Sequence, residues 1–393
     1  MQSLWNEADA ASCEGELALR AYSSRLLGGD HSLVLHGGGN TSVKRDEGGA
    51  RVLYVKGTGS DLAAVDEGAF TPLRLEGVLH LLQREALGNA QMMRALDACL
   101  VRRPAPRPSI ETLLHAGLPL RFVEHTHADS VLAAMNVQDM VAVHAAVYGD
   151  SAPLVPYHHS GHALARACMA VFDARRTQHT IGLVLACHGI VAFGDTAQES
   201  YAHMIELVTR AEQYLRARHA WDILPAVVAA AMPDATALDK LQREINAVAG
   251  AALVMHVVND AQCMAFARRA DVAEISQQGP ATPQHAVYTK RVPLLGRDVH
   301  AYAAHYRAYL DQHLGAAASA LIDAAPRIVL DPQFGLCAFG SSARSAQIAA
   351  EMYQHDIAVI TRASAHGRYR CAPPAAIAQA EFEYGGYAAR QHP

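Results

Sequence analysis

The chain has 393 residues, 51% hydrophobic and 18% charged, with 28 glycines and 17 prolines, a globular composition that excludes a disordered or collagen-like chain. That length predicts two or three domains, with enough chain to bury a core unaided by disulfides. A net charge of −5 with histidine neutral excludes charge-driven binding to nucleic acid or to a membrane surface.

The acidic opening, Met1–Glu16, has no basic segment followed by an apolar one, so no secretory signal is predicted. In chain order, residues 14–27 repeat apolar positions at helical spacing. Residues 32–44 (SLVLHGGGNTSVK) read as strand, glycine turn, strand, and residues 50–65 (ARVLYVKGTGSDLAAV) repeat that shape. A helical region over Pro72–Leu100 precedes a proline-rich break, RRPAPRPS. The next helix is expected to open at Ser109 and run through His115. RFVEHTH and IGLVLACHG read as strands. Residues 196–218 read as a long helix, with Thr196 and Glu199 as a capping box and Tyr201, Ile205, Val208 and Leu215 on its apolar face. Helices alternating with short strands predict the α/β class.

A composition shift over residues 219–240, with Pro225 and Pro233, marks a connection. It divides the chain into residues 1–235 and a smaller α/β domain of residues 236–393. The apolar stretch at Ile223–Met232 is too short to span a bilayer. Seven cysteines without a CxxC pair fit a reducing compartment, and the cytoplasm is the expected location. The second part echoes the first. LVLACHGIVAFG from Leu183 and IVLDPQFGLCAFG from Ile328 share a strand, a glycine turn, "AFG", a polar cap and a long helix, with His188 opposite Phe334. GTGSDLAAV (57–65) also resembles GPATPQHAV (279–287). The second copy has no HTH, so it reads as a degenerate repeat without metal ligands. The competing reading is that strand–turn–helix units look alike.

Alternation along RFVEHTH puts Val123, His125 and His127 on one strand face. Two imidazoles so placed can share a metal ion. His188, ending another apolar strand, would complete a three-histidine site with an open position, the pattern of a catalytic zinc. HxH alone suits surface histidines equally well in a chain with 22 histidines. Three segments offer anion-binding geometry. HGGGNTS (36–42), with Gly38, Gly39, Asn40 and Thr41, can turn its amides toward a phosphate or carboxylate. KGTGSD (56–61) offers Thr58 and Gly59, and Ser109 sits at the expected helix start. None matches a dinucleotide or Walker-type loop. Glu111 suits general acid/base work beside a metal, or the stabilisation of its own first helical turn. His158, His159 and His162 read as a polar loop, and His300 and His305 as a helix face.

Taken in order, GGGNTSVK, VKGTGSDL, RPSIETLLH, EHTHADSV and LACHGIVAFG resemble the class II aldolase/adducin family, which includes fuculose- and rhamnulose-phosphate aldolases and ribulose-phosphate 4-epimerase. The resemblance spans residues 14–218. It is closer still to the aldolase part of bacterial proteins that join rhamnulose-1-phosphate aldolase to a short-chain dehydrogenase; GPATPQHAVYTKR and APRIVLDPQFGLCAFG also match that type. The dehydrogenase part would begin soon after EFEYGGY, where this sequence stops, so no NAD use is expected.

The resemblance implies a three-layer α/β/α catalytic domain with His125, His127 and His188 as metal ligands and Glu111 as the acid/base carboxylate. Asn40, Thr58, Gly59 and Ser109 would belong to the substrate phosphate loops. A divalent cation, zinc first, is the implied cofactor. The implied reaction is retro-aldol cleavage of a ketose 1-phosphate such as rhamnulose 1-phosphate, through a metal-stabilised enediolate. A dimer or tetramer is the implied assembly, with the second domain packing or assembling rather than reacting. Fourteen positions separate Glu111 from His125, fewer than in the best-known members, and the tyrosine that members borrow from a neighbouring subunit has no evident counterpart. Epimerisation or decarboxylation would use the same metal site. A non-catalytic, adducin-like assembly role would be marked by lost ligands, and in the first domain all four side chains are present.

Overall fold

The computed structural model describes residues 1–223 and 234–391, so Pro225 and Pro233 of the expected connection lie outside the described residues. Two compact units emerge. One comprises Met1–Met135 and Met140–Leu215, the other Asn136–Asp139 and Arg216–Pro393. No helix among the described residues is long and apolar enough to cross a membrane.

The first unit is built on seven strands: β1 (Asn40–Glu47), β2 (Ala50–Lys56), β3 (Phe70–Arg74), β4 (Phe122–Thr126), β5 (Leu154–Val155), β6 (Gly182–Leu185) and β7 (Gly189–Gly194). Their spatial order is β3-β2-β1-β4-β7-β6-β5. Every neighbouring pair is antiparallel except β5–β6. Side chains alternate between two cores. Leu53, Val55 and Val123 face one that includes Val78, Leu113, Leu164 and Phe172 from helices Leu75–Leu82, Thr112–Gly117 and His162–Arg175. Val52, Tyr54 and Phe122 face the other, with Leu17 and Ala21 of helix Glu16–Gly28. The sheet is thus covered by helices on both faces, which is the three-layer α/β arrangement expected.

Several local expectations are corrected. Residues 32–35 form no strand, because the carbonyls of Ser32 and Leu33 accept the N–H groups of Asp129 (2.8 Å) and His127 (3.1 Å) instead of joining a ladder. After the KGTG turn a 3₁₀ turn, Leu62–Ala64, stands where a strand was expected, with the Asp61 carboxylate accepting the Ala63 N–H. The region read as helical over Pro72–Leu100 begins with edge strand β3, where a proline is tolerated, and continues as helices Leu75–Leu82 and Asn89–Ala98. Ser109 opens a turn, its carbonyl accepting the Thr112 N–H at 3.1 Å. The helix proper starts three residues later, at Thr112. Tyr201, Ile205, Val208 and Leu215 are all buried on helix Ala197–Ala217. Thr196 accepts the Glu199 N–H as a capping box requires, but the Glu199 carboxylate reaches the N–H of Asp195, one residue farther back.

Among the described residues the second unit has four strands: β8 (Val254–Val258), β9 (Leu294–Leu295), β10 (Ile328–Asp331) and β11 (Gly335–Gly340), in the order β8-β11-β10-β9. β9–β10 is parallel and the other two pairs are antiparallel. Order and directions repeat those of β4-β7-β6-β5, and a long helix follows the last strand in both, Ala197–Ala217 in one and Ala343–His366 in the other. Phe122 faces Gly194 in the first sheet, and Val254 faces Gly340 in the second. That register sets Val257 at the His125 position and Asn259 at the His127 position, while Phe334 precedes β11 as His188 precedes β7. The second unit therefore carries the repeated topology without the three imidazoles. Phe334 is wholly buried in an apolar core with Ile245, Tyr306 and Phe339. The likeness of residues 57–65 to 279–287 does not belong to the repeat. The former lie between β2 and β3, the latter between β8 and β9, whose counterparts are β4 and β5.

Candidate metal centre

β4 divides its side chains between two environments. Glu124 points to one face, where its carboxylate accepts from Arg20 (2.6 Å) and Ser200 (2.9 Å), all three buried. His125 points to the other and is also fully buried. His127 lies just past the strand end. His188 sits in the turn from β6 to β7, flanked by two residues at positive φ, Cys187 (55°) and Gly189 (155°). A Cβ on Gly189 would lie 2.2 Å from the carbonyl oxygen of Thr126, so only glycine lets this turn approach β4. Gly39 (φ 59°) plays the same part on the far side of β4, where a Cβ would lie 2.7 Å from the His125 carbonyl.

These backbone approaches bring the three imidazoles together. Ring centroids are 4.9 Å (His125–His127), 4.9 Å (His125–His188) and 5.2 Å (His127–His188) apart. Their ligand atoms all lie within 4.8 Å of one another, a grouping able to hold a metal ion. His125 donates from Nδ1 to the Ile190 carbonyl at 3.0 Å, which leaves the Nε2 lone pair aimed inward, as metal-binding histidines are commonly held. Nε2 of His127 lies 3.0 Å from Nε2 of His125. A proton on His127 fits that spacing, and so does a cation beside two lone pairs. Glu111 closes the fourth side, with Oε2 3.6 Å from His125 Nε2 and Oε1 3.2 Å from His188 Nε2. Its Oε1 is buried without a hydrogen-bond partner of good geometry.

Burial acts in opposite senses on His125 and Glu111. Desolvation lowers the His125 pKa, against the opposing pull of the Glu111 carboxylate, and favours the neutral ring that a metal needs. For Glu111 burial acts upward. The neighbouring His125 and His188, with the polar contacts of His188 and Asn40, outweigh it and hold the carboxyl well below its ordinary range. A cation held there would pull the same way. The donor set and the orphaned Glu111 oxygen therefore fit a divalent ion.

Asn40, the first residue of β1, faces His125 in the ladder. Its Nδ2 donates to Glu111 Oε2 at 2.6 Å, and Ser109 Oγ lies 3.4 Å from the same nitrogen. Ser109 also accepts the Glu111 N–H at 3.2 Å. Thr58 ties its turn to the proline-rich segment through Arg107 (2.9 Å) and Pro108 (3.0 Å) carbonyls. Gly38 and Gly59 (φ 94°) lie in the loops that precede β1 and follow β2. Thr41 is a correction. The strand alternation turns its side chain to the opposite face, where it bonds Ser24 at 2.8 Å, both hydroxyls buried.

Three buried residues escaped the sequence reading: Lys56, His115 and Ser42. Lys56 donates to the carbonyls of Gly37 (3.2 Å) and Ser60 (2.6 Å) and so straps both glycine loops together. Burial brings its pKa down to about 8, with Asp61 and Glu111 opposing. His115 bonds Asn40 Oδ1 through Nε2 and lies 2.8 Å from Ser42 Oγ through Nδ1. The available signals were alternation along β1, which puts Asn40 and Ser42 on one face, and the four-residue helical spacing of Glu111 and His115.

The family model described as the class II aldolase and adducin N-terminal domain matches residues 19–215, and that of the class II aldolase second domain matches residues 232–384. A Bacillus subtilis (strain 168) protein named as an uncharacterized oxidoreductase, YuxG, is 28% identical over 397 residues, covering 94% of this chain and 57% of that protein. The chain thus spans somewhat more than half the length of this curated relative. Among solved structures, the N-terminal class II aldolase domain of a conserved Thermoplasma acidophilum protein is 38% identical, with a TM-score of 0.50, covering 55% of this chain and 100% of that one. L-fuculose-1-phosphate aldolase from Thermus thermophilus is 19% identical, with a TM-score of 0.34, covering 51% of this chain and 96% of its own. With one model matching half of the chain and its companion most of the rest, the chain belongs to the class II aldolase/adducin family.

Proposed function

We propose that the first unit is a metal-dependent aldehyde-lyase that cleaves a ketose 1-phosphate, with rhamnulose 1-phosphate the first substrate to try. The observation that carries this reading is the buried group of His125, His127 and His188 with the Glu111 carboxylate 3.2–3.6 Å from two of the rings. His125, His127 and His188 would hold the ion, zinc being the one best suited to three imidazoles with an open position. When bound, the cation supplies Lewis-acid stabilisation of the negative charge that develops on the substrate oxygens, worth several kcal/mol.

The rest is done by the chain's own groups. Cleavage breaks the C3–C4 bond. C4 leaves as an aldehyde, the three-carbon phosphate remains as an enediolate, and the C4 hydroxyl proton ends on C3. Glu111 is the group to convey that proton, ionised and buried where water competes little. General acid/base transfer of this kind contributes about 10²–10⁴-fold. Gly39, Gly59 and Ser109 would receive the phosphate through backbone amides and a hydroxyl, in loops that Gly38 and Thr58 shape through their own bonds to Leu35, Arg107 and Pro108, holding the sugar still relative to Glu111.

The test pairs two variants with the wild type in a coupled assay for the three-carbon ketose phosphate. Glu111→Gln should retain the metal and lose about 10²-fold or more in kcat, whereas His125→Ala/His127→Ala should lose metal and activity together. Inversion at a carbon without cleavage would reassign the site to epimerisation. A wild type that takes up neither zinc, manganese nor cobalt would overturn the reading.

A further inference from the structure

Asn40, Glu111, His115 and Ser42 form one directional chain of hydrogen bonds, all of it buried. Asn40 Nδ2 donates to Glu111 Oε2 at 2.6 Å, the NH₂ being the side of the amide that can give a proton. That orientation turns Asn40 Oδ1 toward His115, whose Nε2 must then carry the proton and donate. The His115 ring is wholly buried and neutral, so its Nδ1 has a lone pair, and the Ser42 hydroxyl 2.8 Å away donates to it. Each link dictates the next: Ser42 to His115, His115 to Asn40, Asn40 to Glu111. Turning the Asn40 amide by 180° would set its oxygen against the Glu111 oxygen and its NH₂ against the His115 Nε2–H, a clash at the ring relieved only by the other tautomer, with Nδ1–H turned on Ser42.

We propose that His115 is a positioning residue: it locks the Asn40 side-chain amide with its NH₂ toward Glu111, and thereby holds the carboxylate where proton transfer to the substrate carbon takes place. The inference rests on the proposed lyase reading for its catalytic consequence and on hydrogen-bond geometry alone for the lock itself. His115 is not among the three imidazoles of the metal group, and its own neighbours are Asn40 and Ser42. Its contribution is to the geometry of Glu111 and not to the holding of an ion.

Two substitutions separate this role from a merely structural one. His115→Phe keeps the ring volume and removes both hydrogen bonds. His115→Gln can still donate an amide N–H to Asn40. Ser42→Ala is a milder perturbation that removes only the hydroxyl anchoring Nδ1. In wild-type protein carrying ¹⁵N-asparagine, the Asn40 side-chain NH₂ signals, assigned by their loss in Asn40→Asp, should be strongly protected from solvent exchange. Protection should persist in His115→Gln, weaken in Ser42→Ala and vanish in His115→Phe. Metal content should stay unchanged in all three. In the cleavage assay kcat should fall about 10–100-fold in His115→Phe with KM within about threefold, and His115→Gln should recover most of it.

Equal Asn40 protection in His115→Phe and wild type overturns the lock, and so does an equal loss of kcat in the Phe and Gln variants. If His115→Phe does not fold, undiminished Asn40 protection in Ser42→Ala overturns it alone. A wild type that shows the protected Asn40 signals but neither binds metal nor cleaves a ketose phosphate overturns the proposed function and leaves the lock standing.

Discussion

Burial disfavours the charged form of a histidine, and His115 shows this most clearly. For His115 burial pushes the pKa down to about 3; Glu111 opposes the shift, and His125, Lys44 and Arg20 add to it. In the unfolded chain the same ring takes up its proton near pH ~6.5. Between those limits the native state binds fewer protons than the unfolded state, so stability rises with pH across the window. The stabilising share of neutral His115 is complete above pH ~6.5 and is lost as pH falls toward about 3. Urea titrations from pH 7 to pH 4 should therefore show a steady loss of unfolding free energy in the wild type and a shallower loss in His115→Gln. Parallel slopes would mean that His115 is not a buried neutral ring. His125, His127, His188 and Glu111 were legible in the sequence because their motifs stand in a fixed order. His115 was not, because a four-residue spacing from Glu111 is a weak signal in a chain with 22 histidines until Asn40 and Ser42, more than seventy residues away, are seen against it.

Elements place these residues through the few backbone positions where strands nearly touch. The β6–β7 turn is the tightest of them, with a Gly189 Cβ position 2.2 Å from the Thr126 carbonyl at a φ of 155°. Gly189→Ala would force the turn away from β4, and His188 stands next to it. A left-handed or otherwise disfavoured φ on a non-glycine residue costs about 1–3 kcal/mol before the clash is counted. The melting temperature should drop by about 3–10 °C, and metal content should drop with it, because one of three ligands is displaced. Retention of full metal content by a destabilised Gly189→Ala would show that His188 is placed independently of this turn. The glycine runs flagged the right loops from sequence, but not the reach of each loop. Residues 32–35 look like a strand by composition, yet their carbonyls bond residues 127 and 129. A run of four residues carries no record of which distant N–H groups it meets, and the same blindness let Thr41 pass as a site residue until the register of β1 against β4 turned it to the far face.

At the scale of the whole molecule, the duplication of β4-β7-β6-β5 as β8-β11-β10-β9 makes a quantitative claim about binding. Strand order and directions are repeated, so the second unit had the scaffold on which a second centre could stand. The register shows what occupies it: Val257 and Asn259 in place of the paired histidines, and Phe334 in place of His188. Phe334 is fully buried and lies against the Arg297 guanidinium, 4.1 Å from its ring centroid, while Arg297 pairs with Asp331 at 2.8 Å. A buried aromatic there takes the place of a ligand and offers no lone pair to a cation, and the nearby Asp331 carboxylate is committed to Arg297. Polar interactions in the second unit serve its own loops instead, as where Asp356 accepts both the Ala281 N–H and His285 Nδ1 at 2.8 Å. Elemental analysis of the purified chain should accordingly give about one divalent ion per polypeptide, against two for a duplicated pair of intact histidine centres. The His125→Ala/His127→Ala variant should fall to nearly none. An ion that persists at unit stoichiometry in that variant would have to be held elsewhere, and the assignment of all metal binding to the first unit would fail.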